Sequence, residues 1–205
     1  MGKMDEIILV VPRKEVFADE TLTFQGLTGN EELVSKIMGQ IAEHFSEMRR
    51  GDAEEAPEFK QPIPYVVIKR KDEVFVYERL SGGGEARLHN KLSLGFGGHM
   101  NMEPGQSFQE LLKINTDREL EEELIINEPD KLGMTAIGLI NDDETNVGAV
   151  HIGILSALEL KDDAAVAVRE TEQIRGYWLP VSELKKKDLY NRLETWSQFV
   201  VDILS

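Results

Sequence analysis

Leu94-Gly95-Phe96-Gly97-Gly98-His99-Met100-Asn101 is an apolar run that breaks into a double glycine, and Arg118-Glu119-Leu120-Glu121-Glu122-Glu123-Leu124 is an acid-rich segment downstream of it. Helical geometry puts positions i, i+3 and i+4 side by side, so Glu119, Glu122 and Glu123 share one face while Leu120 and Leu124 point elsewhere. Three carboxylates so placed repel one another. A solvated helix tolerates this at some tenths of a kcal/mol per pair. A hard divalent cation exploits it, because such ions take several oxygen ligands. Taken alone, the segment reads first as a solvated acidic face, because glutamate runs on helices are common and most are solvated. The glycines upstream change the balance, since they let backbone approach a ligand closely. Strand, glycine loop and carboxylate helix in that order bring backbone groups and acids to one mouth.

Working outward, Tyr65–Arg70 and Glu73–Leu80 are rich in β-branched and aromatic residues and flank Lys71-Asp72, a hairpin pattern. Ser107 followed by Glu110 is a capping-box signal that starts a helix over 107–124. Thr135–Asn141 and Val147–Leu158 read as a second hairpin, and Gly176–Val181 as a short strand. Leu189, Leu193, Trp196, Val200 and Ile203 form a helical stripe. Nearer the N-terminus, Ile7–Val11 reads as a buried strand. Leu33, Ile37, Ile41, Phe45 and Met48 line one face of a helix over Glu31–Arg50, ended by Gly51. Asp52–Pro64, acidic and holding three of the seven prolines, reads as a linker or extended arm. The pattern predicts an α/β or α+β layered domain over residues 61–205, with residues 1–60 as an N-terminal strand and helix packed on it.

The chain has 205 residues, 38 acidic against 23 basic, for a net charge of −15. That balance argues against a nucleic-acid polymer or an anionic membrane as the main partner. It admits a phosphorylated small molecule if a cation mediates. There is no cysteine, so a metal must be held by carboxylate, imidazole or carbonyl groups. No apolar run approaches the ~20 residues that span a bilayer, and the short run Ile7–Val11 lacks the length of a signal peptide, so cytoplasmic residence is the default expectation.

These residues resemble the Nudix hydrolases (MutT-like), whose box reads G-x5-E-x7-R-E-U-x-E-E-x-G-U with U apolar. Arg118-Glu119-Leu120-Glu121-Glu122-Glu123 matches its second half and Gly97-x5-Glu103 its first. Stretches around Lys60–Tyr65, Arg87-Leu88-His89 and Gly98–Asn101 look like a subgroup of Nudix-type predicted phosphoesterases. Two features depart from the box. Fourteen residues, 104–117, separate Glu103 from Arg118 where the box has seven, and the box glycine after the acids is Ile125. Phe108, Leu111 and Leu112 are also out of phase with Leu120 and Leu124, which a bend near Asn115-Thr116 would reconcile.

The resemblance implies an α/β/α sandwich with a mixed sheet and hydrolysis of a diphosphate linkage in a small molecule by water attack on phosphorus. It implies Mg²⁺ or Mn²⁺ held by Glu119, Glu122, Glu123 and the Gly98 carbonyl. Glu122, Glu123 or Glu172 would take the proton of the water, with Glu170 a further loop acid of the same kind. Arg87, His89 and His99 are candidates for gripping substrate, with Lys91 beside them. Gly97 and Arg118 would be structural, Arg118 orienting a box glutamate or simply pairing along the helix with Glu122. Tyr77 and Phe96 fit the core better than a stacking site. A Nudix-fold binding module without hydrolysis is the alternative, favoured by the box spacing and Ile125. Nudix proteins often dimerise, so a homodimer is admitted, while packing within the chain is the simpler role for residues 1–60.

Overall fold

The computed structural model describes residues 2–80, 90–169 and 171–204. In chain order the elements are β1 (Ile7–Pro12), α1 (Arg13–Val16), β2 (Gly26–Thr28), α2 (Glu31–His44), β3 (Ser46–Arg49), α3 (Arg50–Ala53), β4 (Phe59–Arg70) and β5 (Glu73–Arg79). There follow β6 (Leu92–Ser93), β7 (Gly95–Phe96), α4 (Phe108–Glu123), β8 (Leu124–Ile126), β9 (Lys131–Asn141), α5 (Asn146–Ala149) and β10 (His151–Leu160). The chain closes with β11 (Val166–Val168), β12 (Ile174–Pro180), α6 (Val181–Leu184), α7 (Lys187–Tyr190) and α8 (Thr195–Ile203). The class is mixed α/β. The main sheet follows the path β12-β5-β4-β10-β9-β2, and β8 and β11 form a separate ribbon. No helix among the described residues is long and apolar enough to cross a membrane.

Residues group into two compact units, 1–65 with 97–118 and 137–155, and 66–96 with 119–136 and 156–205. In the first, β1 pairs antiparallel with β3 and then with β4, and the Leu9 amide donates to the Met100 carbonyl at 2.8 Å. Leu9, Val11, Val16, Phe17, Ile37 and Ile41 share a buried cluster with Met100, Phe108, Leu111, Leu139, Ile152 and Ile154. The N-terminal strand and helix are therefore packed on the core, as the sequence predicts. In the second unit, β5 lies between β12 and β4, in register from Ile174↔Arg79 to Pro180↔Glu73 and with Arg70↔Glu73 at the hairpin. Lys71 takes a positive φ of 49° at that turn. Its core holds Val66, Ile68, Phe75, Tyr77, Phe96, Leu120, Leu124 and Leu158. Tyr77 and Phe96 pack with ring centroids 5.0 Å apart, as core residues.

Helix α4 joins the two clusters in sequence. Phe108 and Leu111 belong to the first and Leu120 and Leu124 to the second. The phase change along this segment thus reflects two cores served by one helix. The added residues ahead of the box are additional helix that covers the N-terminal cluster. The capping box forms: the Ser107 amide and hydroxyl both donate to the Glu110 carboxylate, at 2.8 and 2.7 Å, and the Glu110 amide points back to the Ser107 hydroxyl at 3.4 Å.

Four expectations need correcting. The helix beginning at Glu31 stops at His44, and Phe45–Arg49 leaves it, because Ser46–Arg49 satisfies the backbone of Ile7–Val10 as a paired strand. Gly51 lies inside α3. Asp52–Pro64 is no linker: it holds the end of α3 and the start of β4. The Gln61 amide donates to the Val150 carbonyl at 2.8 Å. Strand amides alternate sides, so the missing N–H groups of Pro62 and Pro64 fall on the opposite edge and cost this ladder nothing. Val147 belongs to α5, which Thr145 caps through the Gly148 amide at 3.0 Å, and β10 begins only at His151. The C-terminal stripe is split into α7 and α8, because Arg192 and Glu194 exchange backbone bonds with Leu92 at 2.8 and 2.9 Å.

The first unit also buries a charge. Lys60 is fully buried, with its ammonium 2.8 Å from the Asp143 carboxylate and 3.1 Å from the Gly148 carbonyl. Arg13 forks onto the same carboxylate at 2.7 and 2.9 Å. Burial alone would raise the Asp143 carboxyl, but hydrogen bonds from Arg13, Lys60 and Asn141 outweigh it and hold the group well below the usual range. Burial lowers Lys60, opposed by Asp143. Asp143→Asn should therefore cost about 3–5 kcal/mol by stranding a buried cation, whereas Lys60→Met should cost less, because Arg13 and Asn141 still hold the Asp143 carboxylate. Chemical denaturation of both variants checks the asymmetry. With a depressed folded value, the Asp143 contribution is complete above about pH 4 and fades as the pH falls toward that value. The wild type should lose its advantage over Asp143→Asn in that acid range.

Candidate active site

The acidic turn closes α4. Glu119 and Glu123 are half-buried and Glu122 is exposed, and the last turn of the helix holds no basic residue. Oxygen donors at i, i+3 and i+4 on a continuous helix suit a hard divalent cation. The helix ends directly into β8, where Ile125 pairs with Ala167. Its terminal carbonyls are taken by Arg169. The Arg169 side chain donates to the Glu121 and Leu124 carbonyls at 2.6 and 3.1 Å, and its amide to the Glu123 carbonyl at 2.9 Å. A glycine is one common way to satisfy these groups; an arginine does so here, which explains why Ile125 is tolerated where the box has glycine. Sequence reasoning missed Arg169, because a side chain arriving from 45 residues away leaves no local pattern.

Upstream, Gly97 has φ of +147°, and a Cβ there would stand 1.9 Å from the Pro64 carbonyl oxygen. No side chain fits this approach of backbone to β4. Gly97→Ala should cost at least about 1–3 kcal/mol in backbone strain, read as a lower denaturation midpoint. The loop after Gly97 is held by α4. Asn115, almost fully buried, donates to the Asn101 carbonyl at 2.9 Å and accepts from its amide at 2.8 Å. Arg118 donates to the His99 carbonyl at 2.9 Å and to Asn115 Oδ1 at 3.0 Å. Arg118 therefore fixes the segment carrying Gly98. Asn115 and Thr116 also donate back to the carbonyls of Leu111 and Leu112, at 2.8 and 2.6 Å, a pattern that strains a helix where the sequence places a bend.

His99 turns into the first unit rather than outward. Its Nε2 lies 2.7 Å from Gln61 Oε1, 3.3 Å from His151 Nε2 and 3.6 Å from the Glu54 carboxylate. His151 is buried, and its Nδ1 donates to the Val147 carbonyl at 2.6 Å. Burial pushes the His151 imidazole down to about 4, so it is neutral at pH 7. The His99 imidazole in turn holds the Glu54 carboxyl below the ordinary range. Glu54, Gln61 and His151 were not singled out by sequence, since their spacing follows no ligand motif. Glu172 is exposed in the turn before β12, and Glu103 is exposed. Arg87, His89 and Glu170 lie outside the described residues. Lys91 is half-exposed, its ammonium 3.4 Å from the Asn191 carbonyl.

No family model matches the chain. Protein YmaB of Bacillus subtilis (strain 168) is 70% identical over 205 residues, which is 100% of both chains. The crystal structure of Tm1382, named as a candidate Nudix hydrolase, matches with a TM-score of 0.78 and 30% identity, covering 97% of this chain and 98% of its own. The chain belongs to the Nudix family. DR0079 from Deinococcus radiodurans shares the fold more distantly, with a TM-score of 0.50 at 16% identity over 70% of this chain and 82% of that one. The box-like segment Arg118–Glu123 lies in the last turns of α4. The two departures from the box pattern coincide with two features of the structure: Phe108 and Leu111 of α4 pack in the N-terminal cluster, and Arg169 takes helix-end carbonyls beside Ile125.

Proposed function

We propose that the protein is a metal-dependent hydrolase that cleaves a diphosphate linkage in a small molecule of the nucleoside diphosphate-X type. The observation that carries this reading is the acidic turn Glu119–Glu123 at the end of a continuous helix, with Arg118 beside it anchoring the loop that holds Gly98. Glu119, Glu122, Glu123 and the Gly98 carbonyl would hold Mg²⁺ or Mn²⁺. Such an ion, when bound, offsets the charge of the diphosphate and lowers the pKa of a coordinated water. The chain's own part is to hold oxygen donors in a fixed array and to receive a proton. A carboxylate takes the proton of the attacking water, and Glu122, Glu123 and Glu172 are the groups available. Arg118 keeps the Gly97–His99 backbone in place for the carbonyl donor. Arg87 and His89 are the proposed substrate-gripping side chains.

The partners in this reading are a small-molecule diphosphate and, by resemblance, a second copy of the chain, with cytoplasmic residence. The test is a panel of nucleotide and non-nucleotide diphosphates, incubated with Mg²⁺ and separately with Mn²⁺, with release of phosphate or nucleotide as the readout. Turnover of at least one member, abolished by chelation, is expected. Tight binding without turnover would replace this reading with that of a Nudix-fold binding module.

A further inference from the structure

We propose that Glu54, Gln61, His99 and His151 form a second metal site, one built for a borderline transition-metal ion, with Zn²⁺ the best fit. Its donor set shares no residue with the carboxylates of α4. The ligand atoms of Glu54, His99 and His151 lie within 4.8 Å of one another. They come from the residue after α3, the loop after β7 and the first residue of β10, and Gln61 joins them from β4.

The hydrogen bonds decide what these atoms can do. His151 Nδ1 donates to the Val147 carbonyl, so its Nε2 presents a lone pair. A backbone carbonyl behind an imidazole is the usual way a metal-ligating histidine is oriented. That lone pair faces the Nε2 of His99 at 3.3 Å, with the rings at 65°. Two nitrogens each about 2.0–2.1 Å from one ion at a tetrahedral angle are about 3.3–3.4 Å apart. As placed, His99 Nε2–H donates to Gln61 Oε1 and faces the His151 lone pair; with its proton on Nδ1 instead, the same spacing fits two ligands on a common centre.

Gln61 supplies an independent sign. It is fully buried, its Oε1 is aimed at His99 Nε2 at 2.7 Å, and its Nε2 has no partner. A buried amide with one end pointed into the cluster and the other unsatisfied is costly unless the cluster gives something back. Glu54 brings the negative charge, itself flanked by Arg50 at 3.6 Å. Two imidazoles and a carboxylate favour Zn²⁺ and its neighbours over Mg²⁺ or Ca²⁺, which prefer oxygen. An ion here would tie four separated stretches together. It would also fix the ring of His99, whose carbonyl is already gripped by Arg118.

The test uses the full chain, stripped with a chelator and titrated with Zn²⁺ against a colorimetric competitor. One equivalent should bind, and thermal melting should shift upward with Zn²⁺. Co²⁺ loading should give the visible absorption of a tetrahedral N/O site. Glu54→Gln and His151→Asn should each weaken Zn²⁺ binding by at least 10-fold and remove the melting shift, whereas Glu122→Gln should keep both. Circular dichroism verifies folding, and the half-exposed Glu54 gives a reading should His151→Asn misfold. Failure of the wild type to bind one equivalent overturns the proposal. So does unchanged affinity in Glu54→Gln, or a loss confined to Glu122→Gln, which would put the ion on α4. None of these readouts depends on hydrolysis, so a failed diphosphate panel and a failed metal site are distinguishable.

Discussion

Glu122→Gln and Glu123→Gln should each lower metal-dependent turnover by about 10²–10⁴-fold, the scale of losing a positioned proton acceptor, while the melting curve stays close to wild type. Glutamine keeps the size and polarity of glutamate but removes its charge. Glu122 is exposed and Glu123 half-buried, so neither change opens a cavity. The helix retains its cap at Ser107 and the Arg169 contacts to the backbone carbonyls of Glu121, Glu123 and Leu124. Calorimetry with Mn²⁺ separates the roles. A ligand variant loses affinity along with rate, and a proton acceptor loses rate alone. Unchanged affinity in both variants would remove Glu122 and Glu123 from the ligand set.

Deleting residues 1–55 should abolish folding altogether, although no box residue is touched. The deletion removes Leu9, Val11, Val16, Phe17, Ile37 and Ile41 from a cluster whose other half is Met100, Phe108, Leu111, Leu139, Ile152 and Ile154. Each such side chain contributes roughly 1.5–3 kcal/mol on burial. Six of them match or exceed the ~5–15 kcal/mol by which a domain is stable at all. The exposed remainder would form a large apolar patch. Insoluble product, or soluble product without a cooperative melt, is expected. A truncated chain that stays soluble, folded and active would show the segment to be dispensable.

Local signals were read well where the chemistry is local. The β4–β5 hairpin, the capping box at Ser107 and the strand at Ile7 each depend on a few neighbouring residues, and each is present. Phe45 and Met48 misled because they continue the spacing of Leu33, Ile37 and Ile41; only the distant need of β1 for a partner pulls them out of the helix. The prolines of 52–64 looked like a linker because proline removes a donor, but two of them sit at strand positions where that donor is not used. The acidic turn was legible because its carboxylates lie within five residues on one helix. The Glu54–His99–His151 cluster was not, since its members are brought together only by the fold, and the same holds for the Arg169 cap.

The N-terminal cluster also sets an order of events during synthesis. Leu9 takes its backbone partner from Met100, 91 residues later, and Leu27 pairs with Ile140, 113 residues later. At roughly 5–20 residues per second, β1 and α2 leave the ribosome about 5–20 s before the residues that cover them are made. In that interval their apolar faces have only β3 and one another for shelter. A nascent chain of this protein therefore presents the amphipathic helix α2 well before the residues that cover its apolar face, so chaperone capture of residues 1–60 during synthesis is the expected outcome.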